Sequence, residues 1–258
     1  MNYLLAIDIG NTNTVVGVMD EGRVLVSWRV TTGNLQTEDE LGMLILSFLQ
    51  NSGFPIHDIK SIGICSVVPD VSVIYQNISR KYFHKEPFTI GSNLNLGIKI
   101  FYEDPNAVGA DRLANVIAAF SRYGGPGIVI DFGTATTFDV YDESCNYLGG
   151  VITPGIETSA MALHRRAAKL PRIELTLPEK VIATNTTASM QIGILLGALA
   201  SMEGIISKIE NELGKKTVLT LTGGFGKFVQ EHSALTFNLR PDLVLEGIWE
   251  VGIKTRLF

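Results

Sequence analysis

The chain opens on an apolar run, Tyr3 to Ile9, too continuous for a strand wetted on one side and suited to one covered on both faces. Thr14 to Met19 and Arg23 to Val30 read as two more strands, joined by a hairpin turn at Asp20-Glu21-Gly22. A helix follows with a clear start: Thr37 and Glu40 stand at capping-box spacing, and Leu41, Leu44, Ile45, Phe48 and Leu49 make one apolar face. Gly53 and Pro55 close it. Ser61 to Val68 reads as a buried strand stopped by Pro69. A helix from about Asp70 to Phe83 and a short strand at Phe88-Thr89-Ile90 come next.

The same order then returns. A helix from Ala110 to Tyr123 stops at Gly124-Gly125-Pro126-Gly127, and three strands are predicted at Ile128 to Asp131, Thr136 to Tyr141 and Asn146 to Ile152. Helices near Ile156–Ala168 and Ala188–Leu213 precede a strand at Thr217 to Leu221. After Gly223-Gly224 the pattern predicts a short helix, a strand near Leu243-Val244-Leu245 and an apolar C-terminal helix. The repeat is visible in the letters: Ile7-Asp8-Ile9-Gly10-Asn11-Thr12-Asn13-Thr14 aligns with Ile130-Asp131-Phe132-Gly133-Thr134-Ala135-Thr136-Thr137. A repeat unit of more than a hundred residues means two duplicated domains of an α/β protein, not a solenoid. The expected division is 1–115 and 116–258.

Composition narrows the picture. Of 258 residues 46% are apolar and 18% charged, so the chain can build a core without disulfides or a structural metal. The 21 basic against 26 acidic residues leave a net charge of −5, which argues against a nucleic-acid partner. Cys65 and Cys145 are too few for a disulfide framework or zinc set and read as packing residues, and four scattered histidines lack ligand spacing. The N-terminus has no signal-peptide pattern. The charge-free stretch Val181 to Met202 is long enough for a membrane span, but Thr184, Asn185, Thr186, Thr187, Ser189, Gln191 and Ser201 fit a buried helix with a polar start. A cytoplasmic protein without a membrane partner is expected.

Two kinds of segment carry candidate chemistry. Each duplicated strand ends in an aspartate followed by small or hydroxyl-bearing residues. Such a turn exposes backbone N–H groups to phosphate oxygens, and its carboxylate can hold a cation. One such turn could simply close a hairpin. Two in matching places favour a phosphate clamp. Leu221-Thr222-Gly223-Gly224-Phe225-Gly226-Lys227 is a third glycine turn, without the spacing of a Walker A loop, and no G-x-G-x-x-G occurs. Gly109-Ala110-Asp111-Arg112 opens a helix. Asp111 there can accept a proton from an alcohol and Arg112 can pair with a carboxylate, or the two are a first-turn dipole partner and a solvated charge.

The two acidic turns and the glycine pair, in this order, resemble the phosphate and adenosine motifs of the superfamily of actin, the heat-shock chaperone ATPases and the sugar kinases. The resemblance is closest to type III pantothenate kinases: Asp8-Ile9-Gly10-Asn11-Thr12, Gly109-Ala110-Asp111-Arg112, Asp131-Phe132-Gly133-Thr134-Ala135-Thr136-Thr137, Gly150-x-x-x-Pro154-Gly155, Asn185-Thr186 and Thr222-Gly223-Gly224 fit that family in register. It implies two duplicated actin-like (ribonuclease H-like) domains with an interdomain nucleotide cleft, and ATP-dependent phosphorylation of pantothenate, the first step of coenzyme A synthesis. By the same resemblance Asp8, Ile9, Gly10, Asn11, Thr12, Asn13, Thr14 and Val15 would hold ATP phosphates, with Asp8 reaching Mg2+ through ATP. Thr134 would contact ATP, and Asp131 would bind potassium or ammonium. Asp111 would be the general base. Tyr102, Gly109, Ala110, Asp111, Arg112 and Thr186 would contact pantothenate, in a homodimer. Two other functions within the superfamily are a nucleotide phosphatase, which has no evident need for Gly109-Ala110-Asp111-Arg112, and a nucleotide-binding regulator, which has no physical need for all three aspartates.

Overall fold

The computed structural model describes residues 2–33, 36–91, 94 and 96–255. The first strands are β1 (Tyr3–Ile9), β2 (Asn13–Asp20) and β3 (Arg23–Thr31), followed by α1 (Glu38–Asn51), β4 (Ile59–Ser66), α2 (Pro69–Phe83), β5 (Phe88–Thr89) and α3 (Ala110–Tyr123). The order repeats with β6 (Gly127–Phe132), β7 (Ala135–Tyr141), β8 (Tyr147–Pro154), α4 (Ile156–Arg166), α5 (Thr186–Leu213), β9 (Val218–Gly223), α6 (Gly226–His232), β10 (Asn238–Leu239) and α7 (Leu243–Thr255). The strands form two five-stranded sheets, β3-β2-β1-β4-β5 and β10-β9-β6-β7-β8. Adding five to each strand number of the first sheet yields the second read backwards, so the duplication read in the letters is a duplication of topology. β1 runs antiparallel to β2 and parallel to β4, as β6 runs parallel to β9.

Packing divides the chain into two compact units, one of Met1–Gly124, Tyr141–Gly149 and Asp242–Phe258, the other of Gly125–Val140 and Gly150–Pro241. In the first unit, strand alternation sends Leu5, Ile7 and Ile9 of β1, Val16 and Val18 of β2 and Ile62 and Ile64 of β4 into one core with α1 and α2. The capping box forms as expected: the Glu40 N–H donates to Thr37 Oγ1 (3.2 Å) and the Thr37 N–H to Glu40 Oε2 (2.7 Å). The opposite face of the sheet is covered by α3 and α7. There Gly17 and Gly63 make room for α7: a Cβ at Gly17 would stand 2.7 Å from Leu245 Cδ1, and one at Gly63 would overlap Ile248. α3 and α7 cross at Gly247, which lies against the Ala114 backbone, and Arg122 Nε reaches Glu246 Oε2 at 3.3 Å.

The strand expected near Leu243-Val244-Leu245 is instead the first turn of α7. Leu245, Ile248, Val251 and Gly252 are buried at helical spacing, and this longer period decides over a three-residue apolar run. The neighbouring strand is the short β10, pairing Asn238 with Thr220 and Leu239 with Leu221 of β9.

In the second unit α5 starts where Asn185 accepts the Ala188 N–H on its side chain (2.9 Å) and packs along α4. By length and composition alone α5 could cross a membrane; Met190, Ile194, Leu195, Leu199 and Met202 are buried within the protein, but only 33% of its most apolar 18-residue window is, less than the buried helix expected from the sequence.

Candidate active site

In the first unit the C-terminal ends of the parallel strands β1 and β4 meet the start of α3, the location at which ligands bind in α/β sheets. After β1 the chain turns tightly, with the Gly10 N–H donating to the Asn13 carbonyl (3.1 Å) and the Thr32 N–H to the Thr12 carbonyl (3.0 Å). Asn11, Thr12 and Asn13 are exposed, as a phosphate-binding turn requires. Alternation separates the flanking residues. Ile9 and Thr14 pair across β1 and β2 and are fully buried toward α1 and α2, where Thr14 Oγ1 bonds Thr32 Oγ1 (2.9 Å) and the Tyr75 hydroxyl. Their side chains brace the turn, so only their backbones could serve a ligand. Asp8 points to the other face of the sheet, the α3 side.

Cys65 is the register partner of Asp8 on β4 and is fully buried. Burial pushes its thiol pKa well up, and the negative charges of Asp8 and then Asp111 push it further. Gly109, against which the Asp111 carboxylate lies, stands by Val67 just past the end of the same strand, so Asp8 and Asp111 approach one strand end although 103 positions separate them in the chain. The fold thus assembles the first acidic turn and the candidate base.

Asp111 lies in the first turn of α3, after Gly109 at the N-cap. Burial raises its pKa above the ordinary carboxylate value, a shift opposed by the Arg112 N–H, which donates to Oδ1 at 2.8 Å, and by the Arg112 charge. Such a carboxylate is a stronger proton acceptor than an exposed one. Arg112 is buried, not solvated, with its guanidinium over the Tyr147 ring at 5.8 Å. Tyr102 is half exposed and stands edge-on to the same ring, centroids 6.3 Å apart. Tyr147 was not singled out in the sequence. It is fixed by long-range pairing, its N–H donating to the Lys99 carbonyl and its carbonyl accepting from the Phe101 N–H, both at 2.8 Å.

In the second unit Asp131 is the penultimate residue of β6, in register with Thr222 of β9, and the last pair is Phe132 with Gly223. Gly223 has φ +85°, and a Cβ there would lie 2.5 Å from Asp131 Oδ1. Only glycine lets this carboxylate lie flat against β9. Thr134 is exposed at the turn, and its carbonyl accepts from Thr158 Oγ1 (2.6 Å) and the Gly155 N–H (3.2 Å). Gly155 packs directly on the Gly133 and Thr134 carbonyls, which explains the glycine of the Pro154-Gly155 pair. Thr158, four residues after Pro154, is a support that sequence spacing alone did not reveal.

A sizeable cavity lies elsewhere. A groove of about 890 Å3 runs between α4 and α5 over Phe132 and Phe138, lined mostly by apolar side chains. Phe132 and Asp131 are successive strand residues and face opposite sides of the sheet, so the groove is on the side away from the Asp131 carboxylate. Thr186 lines this groove, whereas Tyr102 and Gly109-Ala110-Asp111-Arg112 belong to the first unit. Among the described residues no three His, Cys, Asp or Glu side chains converge as a metal cage. Mg2+ commonly enters on phosphates with one or two carboxylates, and Asp8 beside an open turn is a donor set of that kind.

The family model of type III pantothenate kinases matches residues 4–208. A type III pantothenate kinase of Bacillus cytotoxicus is 43% identical over 246 residues, covering 95% of this chain and 94% of that relative. Among solved structures, a Campylobacter jejuni chain assigned to the Baf family of transcriptional activators aligns with a TM-score of 0.62 at 18% identity, over 98% of this chain and 100% of that one. The ROK hexokinase of Thermus thermophilus aligns with a TM-score of 0.55 at 13% identity, over 99% and 100%. At these identities the two structures speak for the fold alone, and they agree with the actin-like α/β class implied by the repeated turns.

Proposed function

Because the chain belongs to the type III pantothenate kinases, and so phosphorylates pantothenate with ATP in coenzyme A synthesis, we propose a division of labour among its residues. The turn from Asp8 to Val15 binds ATP phosphates through the backbone of Gly10 to Asn13 and its exposed hydroxyl and amide groups. Asp8 would hold Mg2+ on those phosphates, where the ion would offset their charge. Asp131 holds a potassium or ammonium ion, and Thr134 contacts ATP. Arg112 pairs with the pantothenate carboxylate, while Tyr102 and Tyr147 wall the substrate beside Gly109 and Ala110. Asp111 accepts the proton of the primary hydroxyl as its oxygen attacks the γ-phosphorus and ADP leaves. Phosphoryl transfer asks mainly for positioning and charge neutralisation, which two carboxylates and a backbone cradle can supply.

The observation that supports this reading is geometric: Asp8 pairs in register with Cys65 of β4, and Gly109 beside the Asp111 carboxylate lies against Val67 just past the end of that strand, which brings the phosphate turn and the base to one strand end. Homodimerisation and a cytoplasmic location belong to the same proposal. The α4–α5 groove, with Met161 and Leu163 beside it 47% and 41% exposed, is the apolar surface a second copy would cover. Thr186 on that groove would then serve the site of the partner copy. The division at residue 115 is proposed as a boundary of duplication, whereas packing joins α7 to the first sheet.

ADP release measured with and without pantothenate tests the proposal. Release that depends on pantothenate, with one phosphopantothenate per ADP, is expected. Release independent of pantothenate would make the chain a phosphatase, and binding without turnover a regulator.

A further inference from the structure

Asp111 does not hang freely at the start of α3. Its Oδ1 accepts the Arg112 N–H at 2.8 Å, and the carboxylate also bonds its own backbone N–H. This engagement folds the carboxylate back over residue 109. A Cβ on Gly109 would lie 2.5 Å from Oδ1 and 3.6 Å from Cγ. Val67 Cγ1, also 3.6 Å from that Cβ, would be an ordinary contact, so the carboxylate alone stands in the way. Gly109 itself has φ −56° and ψ 140°, a conformation open to any residue. Glycine is therefore required here for the space above it, which the carboxylate occupies, and not for backbone freedom.

We infer that Gly109 is a positioning residue for Asp111: its missing side chain seats Oδ1 on the first-turn N–H groups and leaves Oδ2 to receive the proton of the substrate hydroxyl. The inference rests on the reading of Asp111 as the general base, and it differs from the substrate contact that the family resemblance implies for Gly109. In the step itself the hydroxyl O–H bond breaks toward Oδ2, the oxygen bonds to the γ-phosphorus and the bond to the ADP oxygen breaks, with no further reactant consumed. A seat of this kind fixes the direction of the accepting lone pair, and misplacement near 1 Å can cost about 10²-fold in rate. The seat also holds the base in check, since the N–H bonds lower a pKa that burial raises.

Gly109→Ala separates the two roles. Displacing Oδ1 from its donors while burial persists is expected to lower kcat about 10- to 100-fold. The KM for ATP should stay within about twofold, and the acid limb of the kcat profile should move to higher pH. At 3.6 Å Val67 Cγ1 would be only in ordinary contact with the new methyl, so the displacement falls on the Asp111 carboxylate, and the unchanged KM for ATP reads that the variant is folded. A Gly109→Ala enzyme with wild-type kcat and pH profile but a raised KM for pantothenate would overturn the inference and leave Gly109 a substrate contact. Asp111→Asn is the separate control. Wild-type kcat in that variant would remove the base reading itself, whereas a slow Asp111→Asn beside an unaffected Gly109→Ala removes only the positioning role.

Discussion

Gly204 and Gly247 are both helical glycines, and the same substitution should act on them with opposite sign. On propensity alone, Gly→Ala inside a helix stabilises by about 1 kcal/mol. At Gly204 in α5 nothing lies within 4 Å of the added Cβ, so that gain should appear in full. At Gly247 in α7 the Cβ would stand 2.5 Å from the Ala114 carbonyl carbon and closer still to its oxygen. Overpacking costs about 1–3 kcal/mol, and the upper end applies because the atom struck is helix backbone that no rotamer change can move. α7 cannot slide away either. Leu245 and Ile248 are keyed over Gly17 and Gly63, and Ser121 Oγ donates to Glu250 Oε2 at 2.7 Å. About 3 kcal/mol of clash against about 1 of propensity leaves Gly247→Ala destabilised by about 2 kcal/mol. At about 2–4 °C per kcal/mol for a chain of this size, its Tm should fall by about 4–8 °C while Gly204→Ala gains about 2–4 °C. Thermal unfolding followed by circular dichroism at one protein concentration reads both. A Gly247→Ala protein as stable as wild type, or more so, would refute the close crossing of α3 and α7.

Further outcomes concern charge and association. Burial raises the pKa of Asp111 above its ordinary 3.8, so the folded state loses stability relative to the unfolded chain as pH climbs from that value through the raised one. Asp111→Asn should therefore melt higher than wild type at neutral pH, with the gap closing as the pH falls toward 3.8; a lower melting point at neutral pH would contradict the cause assigned. Asp131→Ala should abolish activation by potassium in ADP-release assays, and a variant still activated would reject that ligand. Leu163→Asp places a charge on the α4–α5 groove and should convert the proposed dimer to monomers in sedimentation velocity; a dimer left unchanged would move the interface elsewhere, and a monomeric wild type would remove the dimer proposal.

Much of the fold was legible because local signals agreed. Gly109 and Gly124 flank α3 at the expected Ala110 and Tyr123, and β1 has the bounds of its apolar run. Legibility failed at Leu243–Leu245, where a window of three residues carries no period and only the following turns reveal a helix. In the candidate site of the first unit, the Asp8 turn and Asp111 could each be read from letters, but their meeting could not. Asp8 meets Cys65 through a parallel pairing of strands far apart in the chain, and Tyr147 reaches Tyr102 and Arg112 through a bridge to Ile100. The inward turn of Ile9 and Thr14 follows from strand alternation, yet a motif read as eight consecutive contacts conceals it. The uncharged stretch of α5 reads as buried, while the structure leaves Gly193 and Gly197 exposed on the groove.

Single-turnover phosphoryl transfer from radiolabelled ATP to pantothenate, measured for the wild-type protein and for Asp111→Asn, probes the role of the α3 carboxylate most directly. Loss of a general base should slow the labelled product about 10²–10⁴-fold while the dissociation constant for ATP stays unchanged. A variant that transfers phosphate at the wild-type rate, or loses ATP affinity in step with its rate, would show that the proton of the hydroxyl goes elsewhere.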